Sequence, residues 1–316
     1  MWNFSISRSL GLMARTAPFI ALRIAIYFGM VIAYVLVTST GAGIGWGIGG
    51  LGDENFRANS IFVGGLVGFC MTAGAFYLMR EYILYVVKAG HIAVLVELLD
   101  GRPLPDNQGQ IQYARGIVAN RFVEASVLFA VDQLIKGVLT AITGLVQGIA
   151  AFLPLPGLDQ LMSLIRAFLR IAVGFIDEVM LAYIIRTRSP NPWQSAQSAL
   201  VLYGQNAGTM LRNAAFLTVI VYGLSIAVFL VMLAPAAALL YWIPGGWTSG
   251  GFLLALIFAW AVKAALIEPF AITCMMQVFF RTIEGQSPNP EWEAKLSQIS
   301  GKFRKLKENA GLAAAA

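Results

Sequence analysis

The sequence predicts an all-α, polytopic membrane helix bundle with six transmembrane helices, and three observations predict it. The chain is 58% hydrophobic and 12% charged, with a mean hydropathy of +0.73, whereas soluble domains carry about twice that charge. Its apolar residues fall in continuous blocks, long enough for helices of about 20 residues to cross hydrocarbon and without the alternation a barrel requires. Its lysines and arginines gather on every second connection between those blocks.

The blocks give six spans in order: Ala17–Thr38, Ser60–Val87, Glu124–Leu153, Leu158–Ile185, Ala214–Tyr241 and Gly250–Arg281. Arg8 and Arg15 precede the first span; Lys88, Arg102, Arg115 and Arg121 separate the second from the third. Arg186, Arg188 and Arg212 lie between the fourth and fifth, and a basic tail follows the sixth. The opposite connections hold Arg57 alone. Basic connections stay on the cytoplasmic side, so both ends are expected there, in a plasma or inner membrane. Trp46, Trp242 and Trp247 then mark the outer interface, and Trp2, Trp193 and Trp292 the inner one. The first block is preceded by arginines like a signal peptide, yet it contains Arg23 and lacks a small-x-small cleavage site, so it reads as a retained helix.

Three parts follow: an interfacial segment 1–16, a six-span domain 17–285, and a basic amphipathic helix and tail 286–316. Gly41–Gly52 is glycine-rich and reads as a flexible loop or a shallow re-entrant segment. Leu153–Gly157 and Pro244–Gly246 are tight turns that make antiparallel hairpins. On the inner face Ser189-Pro190-Asn191-Pro192-Trp193 recurs as Ser287-Pro288-Asn289-Pro290 with Trp292, and Asp100-Gly101 before Pro103 echoes Glu284-Gly285 before Pro288. Each asparagine can cap a new helix that has proline at its first position. Duplication of a hairpin or convergent helix-stop chemistry would both produce the echo.

Both chain ends carry amphipathic stripes. In the tail, Trp292, Leu296, Ile299, Phe303 and Leu306 share a face, with Lys295, Lys302, Lys305 and Lys307 mostly turned away from it; Trp292, Lys302, Arg304, Lys305 and Lys307 are the residues expected at the membrane surface. Such a helix is expected to lie on anionic lipid headgroups; the other reading is a lid packed under the bundle. Trp2, Ile6, Leu10 and Met13 form a weaker stripe at the start. Ala313–Ala316 reads as frayed. Cys70 and Cys274 read as buried thiols, and the lone His91 as an interfacial residue; with a single histidine, His-rich metal sites are excluded.

Charges at membrane depth are the informative feature, since each costs a few kcal/mol (roughly 3) at a helix centre. Asp132 and Lys136 stand one turn apart, continued outward by Thr140, Thr143 and Gln147. Arg166, Arg170 and Asp177 share a face of the fourth span, with Glu178 about 100° around from Asp177. Glu268 follows Lys263 in the last span and immediately precedes Pro269, where the helix should break. These charges line a hydrated path, or the pairs Asp132–Lys136 and Arg170–Asp177 neutralise one another and bind the bundle together. No cofactor, nucleophile set, metal cluster or nucleic-acid stripe is visible.

From about Gln112 onward, the stretches Ala114–Ile135 and Phe175–Ile185, then Ser195-Ala196 with Leu211-Arg212-Asn213, and the phenylalanine-rich acidic exit Pro269–Glu284 resemble the choline transporter-like family of polytopic membrane proteins. The resemblance implies a polytopic helical membrane fold and assigns no binding residue. The leading expectation is a transporter or channel-like pathway for a small solute or cation, with Asp132, Lys136, Asp177, Glu178 and Glu268 near the path. The alternative is a non-transporting scaffold that recruits partners at the cytoplasmic face; an enzyme is not expected. Small residues at Gly64, Gly65 and Gly68 would allow homo-oligomers through close helix contact.

Overall fold

A computed structural model of the protein describes residues 2–104, 109–121, 125–151, 175–241 and 248–315. Every regular element among them is helical. The order is α1 (Ile6–Arg15), α2 (Ala17–Gly49), α3 (Glu54–Leu99), α4 (Gln110–Arg121), α5 (Ala125–Ala151) and α6, described over 175–187. Next come α7 (Pro192–Gln205), α8 (Ala207–Tyr241), α9 (Thr248–Val262), a π-helical segment (Lys263–Ile267), α10 (Glu268–Thr282), α11 (Pro290–Ile299) and α12 (Gly301–Ala315).

Four stretches are long and apolar enough to cross a membrane: Ala17–Gly49, Glu54–Tyr77, Ala207–Ala238 and Leu254–Thr282. They correspond to the expected first, second, fifth and sixth spans. The turn at 153–157 and the first half of the expected fourth span, with Arg166 and Arg170, lie outside the described residues, as do Trp242 and Trp247.

The chain divides into two compact units: Met1–Ala17, Ala89–Leu224 and Glu268–Ala316 in the first, Pro18–Lys88 and Ser225–Ile267 in the second. The second is held by an unusually close helix pair. Gly41, Gly45 and Gly49 recur every fourth residue on α2 and meet Gly64, Ser60 and Arg57 on α3; a Cβ at Gly45 would lie 2.0 Å from the Ser60 carbonyl oxygen, and one at Gly41 would lie 2.2 Å from that of Gly64. Backbones approach so closely only where side chains are absent. The expected glycine loop is therefore the closing turns of α2, and the Gly64 and Gly68 patch that suggested homo-oligomers is occupied within the chain. Around Tyr27, Val31, Leu84, Ala261 and Ala265 a small apolar core forms, with Tyr27 edge-on to Trp260 at 5.4 Å. Cys70, expected to be buried, is exposed beside Phe69 and Met71.

In the first unit the last turns of α3 form the hub: all ten residues 89–98 are buried. A helix apolar on every side must be surrounded. His91, expected at an interface, is in this core, where its Nε2 meets Thr16 Oγ1 at 2.9 Å. Both predicted asparagine caps form, with Asn191 accepting from the Gln194 amide at 3.1 Å and Asn289 from the Glu291 amide at 2.8 Å. The echoed exits share left-handed glycines, Gly101 at φ 71° and Gly285 at φ 72°. At Gly101 the Arg102 and Gly101 amides return to the Glu97 and Leu98 carbonyls, the bonding of a Schellman cap.

The chain ends exchange roles relative to expectation. The tail is two helices, broken where Ser300 is extended, and Leu296, Phe303 and Leu306 are fully buried as α12 packs on α5 and α7. The apolar stripe expected on lipid is covered by protein, because α5 and α7 offer it a complementary apolar face; α12 also continues through Ala315 instead of fraying. In α1 it is Ser9 and Leu12 that turn inward, while Trp2, Ile6 and Leu10 remain exposed.

Candidate acidic cluster on α5 and α6

α5 is amphipathic: Val131, Leu134, Ile135, Val138, Leu139 and Ile142 are buried, and Gln133, Lys136 and Thr140 are exposed. The helical period thus turns the polar stripe away from the packed side. On that stripe Lys136 Nζ lies 2.6 Å from Asp132 Oδ2, the expected pair one turn apart. α6 brings Asp177 Oδ2 to 3.9 Å from the same ammonium, and Glu178 acts on it electrostatically as well. The Glu178 amide donates to Asp177 Oδ1 at 2.9 Å, which orients that carboxylate.

Four of the five residues predicted for a path are therefore gathered at one place. The Asp132 and Asp177 carboxylates both approach the Lys136 ammonium, and Glu178 follows Asp177 directly in the chain. Asp132 and Asp177 side chains are 14% and 13% exposed and Lys136 is 47% exposed, so the cluster opens outward with its carboxylates set back behind the ammonium. Neighbouring carboxylates beside one ammonium are the kind of group that can hold or exchange a proton.

Glu268, the fifth residue, opens α10 directly after the π-helical segment. Pro269 explains that segment. It has no N–H to give the carbonyl four residues back, and its ring crowds that carbonyl, so the helix widens by one residue just before it. The break expected beside Glu268 is real and takes this form.

Of the residues predicted to touch the membrane surface, Lys302, Arg304, Lys305 and Lys307 are exposed and Trp292 is half-buried. The α12 backbone passes so near α5 that the Lys302 side chain would meet a Cβ placed at Gly137, at 2.8 Å. Arg304 donates to the Ser297 carbonyl at 2.9 Å, Lys307 pairs with Glu293 at 2.5 Å, and Lys305 is exposed. Trp292 is half-buried against Gly204, with the Lys295 ammonium 4.7 Å from the ring centre.

One charged constellation was missed from sequence. Glu97, buried, accepts from Arg188 Nη2 at 2.8 and 3.0 Å and from Arg102 Nε. Asp100 takes Arg186 Nε at 3.1 Å and Nη2 at 2.9 Å, and lies 2.9 Å from Arg102 Nη2. Arg188 holds φ 53°, a conformation costing a side-chain-bearing residue about 1 kcal/mol or more; its bidentate bond to Glu97 offsets that cost. The signal was present in the echoed exits, since the acidic pair closing α3 meets the arginines closing α6. No family model, curated protein or solved structure matches this chain.

Proposed function

We propose that the protein is a six-span membrane protein with both ends cytoplasmic that conducts or transports a small solute, most readily a cation, past the cluster of Asp132, Lys136, Asp177 and Glu178. In this reading α5 and α6 complete the bundle as its third and fourth spans. The supporting observation is the meeting of the Asp132 and Asp177 carboxylates with Lys136 on the open side of α5. A charged stripe turned toward hydrocarbon would be strongly disfavoured, and in this reading it faces a water-filled path along which carboxylates favour a cation. Glu268 beside the π-helical segment provides a second carboxylate at a place where backbone carbonyls depart from regular pairing.

The test is flux in liposomes. Asp177→Asn combined with Glu178→Gln is expected to reduce cation flux by about tenfold, on the scale of losing one charge-assisted contact; Glu268→Gln is expected to reduce it further. Unchanged flux in both variants contradicts the reading.

The scaffold alternative draws on one observation, the exposed basic row Lys302, Arg304 and Lys305 on a tail packed into the first unit. Deleting the tail does not separate the two readings, because it also removes Phe303 and Leu306 from a core. Reversing Lys302 and Lys305 to glutamate does: flux persists in a transporter, and recruitment to anionic vesicles or partners is lost in a scaffold.

A further inference from the structure

The first unit contains an open cleft of about 1240 Å³. One wall is the strap before α1. Its Asn3 amide donates to Asn213 Oδ1 at 2.6 Å, and Gln277 donates to Ser9 Oγ at 2.6 Å, which fixes the following turn against α10. The opposite wall is the exit of α10 from Phe280 to Gln286, and α6 contributes Arg186.

Three guanidinium groups and two carboxylates line this space: Arg8, Arg186 and Arg281 against Asp100 and Glu284. Their availability differs. Arg186 is engaged by Asp100 through a hydrogen bond from Nε and an ion-pair contact from Nη2, and is stacked 4.3 Å from the centre of the Phe280 ring. Arg8 donates to the Leu99 carbonyl at 3.0 Å. Among the described residues no carboxylate pairs with Arg8, and neither Arg281 nor Glu284 has a hydrogen bond or ion pair. The cleft thus presents two guanidinium groups with unused donors, and its one unmatched carboxylate, Glu284, is exposed. At its lip Trp2 is edge-on to Phe216 at 5.9 Å, and Phe216 is an exposed residue of the apolar stretch Ala207–Ala238.

We propose that this cleft binds a phosphate ester anion, held by Arg8 and Arg281 with the fixed Arg186 behind them. A guanidinium offers a planar fork of N–H donors that matches two oxygens of a tetrahedral phosphate. A cationic floor beside an apolar lip suits a phosphate that carries an acyl chain, a lipid headgroup; a soluble phosphate ester shares the same headgroup chemistry. The site is separate from the acidic cluster and independent of the flux reading.

The experiment is calorimetric titration of the full chain in neutral detergent, with inorganic phosphate and with dihexanoyl phosphatidic acid as the two probes. Wild-type protein is expected to bind at least one. The double variant Arg8→Ala, Arg281→Ala should weaken binding by about tenfold or more, while Arg8→Lys, Arg281→Lys, which keeps charge and loses the fork, should fall between. Much tighter binding of the phosphatidic acid identifies a lipid headgroup; equal binding identifies a soluble phosphate ester. Glu284→Gln removes a repulsive charge and should tighten binding about threefold, a gain that misfolding cannot imitate. The proposal is overturned if wild type binds neither probe, if the double alanine variant binds as wild type does, or if Glu284→Gln leaves affinity unchanged or weaker.

Discussion

The two units of this chain present different surfaces. In the first, Ile92, Leu95, Ile176, Met180 and Phe279 are sealed inside and charged residues meet in networks near the surface. In the second, Ile32, Leu36, Phe62, Val67, Met71, Leu230 and Val231 point outward. Three of the four membrane-length stretches have only 22%, 17% and 17% of their apolar window buried, against 56% for the one that includes α10. An outward apolar surface of that extent is disfavoured in water, and the second unit's outward face is suited to a membrane. The units also cohere differently. Where there is no hydrophobic gain in burying one apolar helix against another, close backbone contact through glycines takes over; the first unit coheres through buried side chains and paired charges.

The contrast predicts which substitutions matter in which unit. The largest effect is expected at Gly45: Gly45→Leu forces α2 from α3 and should destabilise the pair by about 3 kcal/mol or more. Gly43, with nothing within 4 Å of its Cβ position, is the control, since Gly43→Ala should be neutral or stabilising by about 1 kcal/mol or less. Unfolding titrations with SDS in mixed micelles compare the two. Phe303→Ala comes next, at about 3–5 kcal/mol for an emptied core site, read as proteolytic release of the tail, whereas Leu312→Ala on the exposed end of α12 leaves the digest unchanged. Glu97→Gln is smaller, about 2 kcal/mol for weakened charge-assisted bonds, because Arg102 and Arg188 are partly exposed and can rehydrate. High salt should shrink that difference and leave the Gly45 effect intact.

Much of this was legible in the sequence, and particular residues show where legibility ended. Blocks of hydropathy mark four membrane-length stretches because length and composition are local properties. The Asn191-Pro192 and Asn289-Pro290 starts were readable for the same reason, since a cap needs only its own first turn. Gly41–Gly49 was misread because glycine weakens a helix in isolation, and only the partner α3, far along the sequence, turns that weakness into a contact. The tail's two readings, lipid surface or packed lid, stayed open because periodicity reports an apolar face without saying whether lipid or α5 covers it. At the candidate site, i to i+4 spacing gave the Asp132–Lys136 pair, and the expected α5–α6 hairpin brought in Asp177 and Glu178. The Glu97 and Asp100 network was hidden because two of its three arginines, Arg186 and Arg188, arrive from positions about ninety residues away.

The native cysteines allow a direct test of lipid as the second unit's solvent. Cys70 is exposed and Cys274 is buried, so a nitroxide attached to the unmutated protein goes to Cys70, and after reconstitution into bilayers its collision rates with oxygen and with a water-soluble nickel chelate can be compared by electron paramagnetic resonance. The account predicts frequent collisions with oxygen and few with nickel. Nickel collisions as frequent as at an aqueous surface site would contradict it.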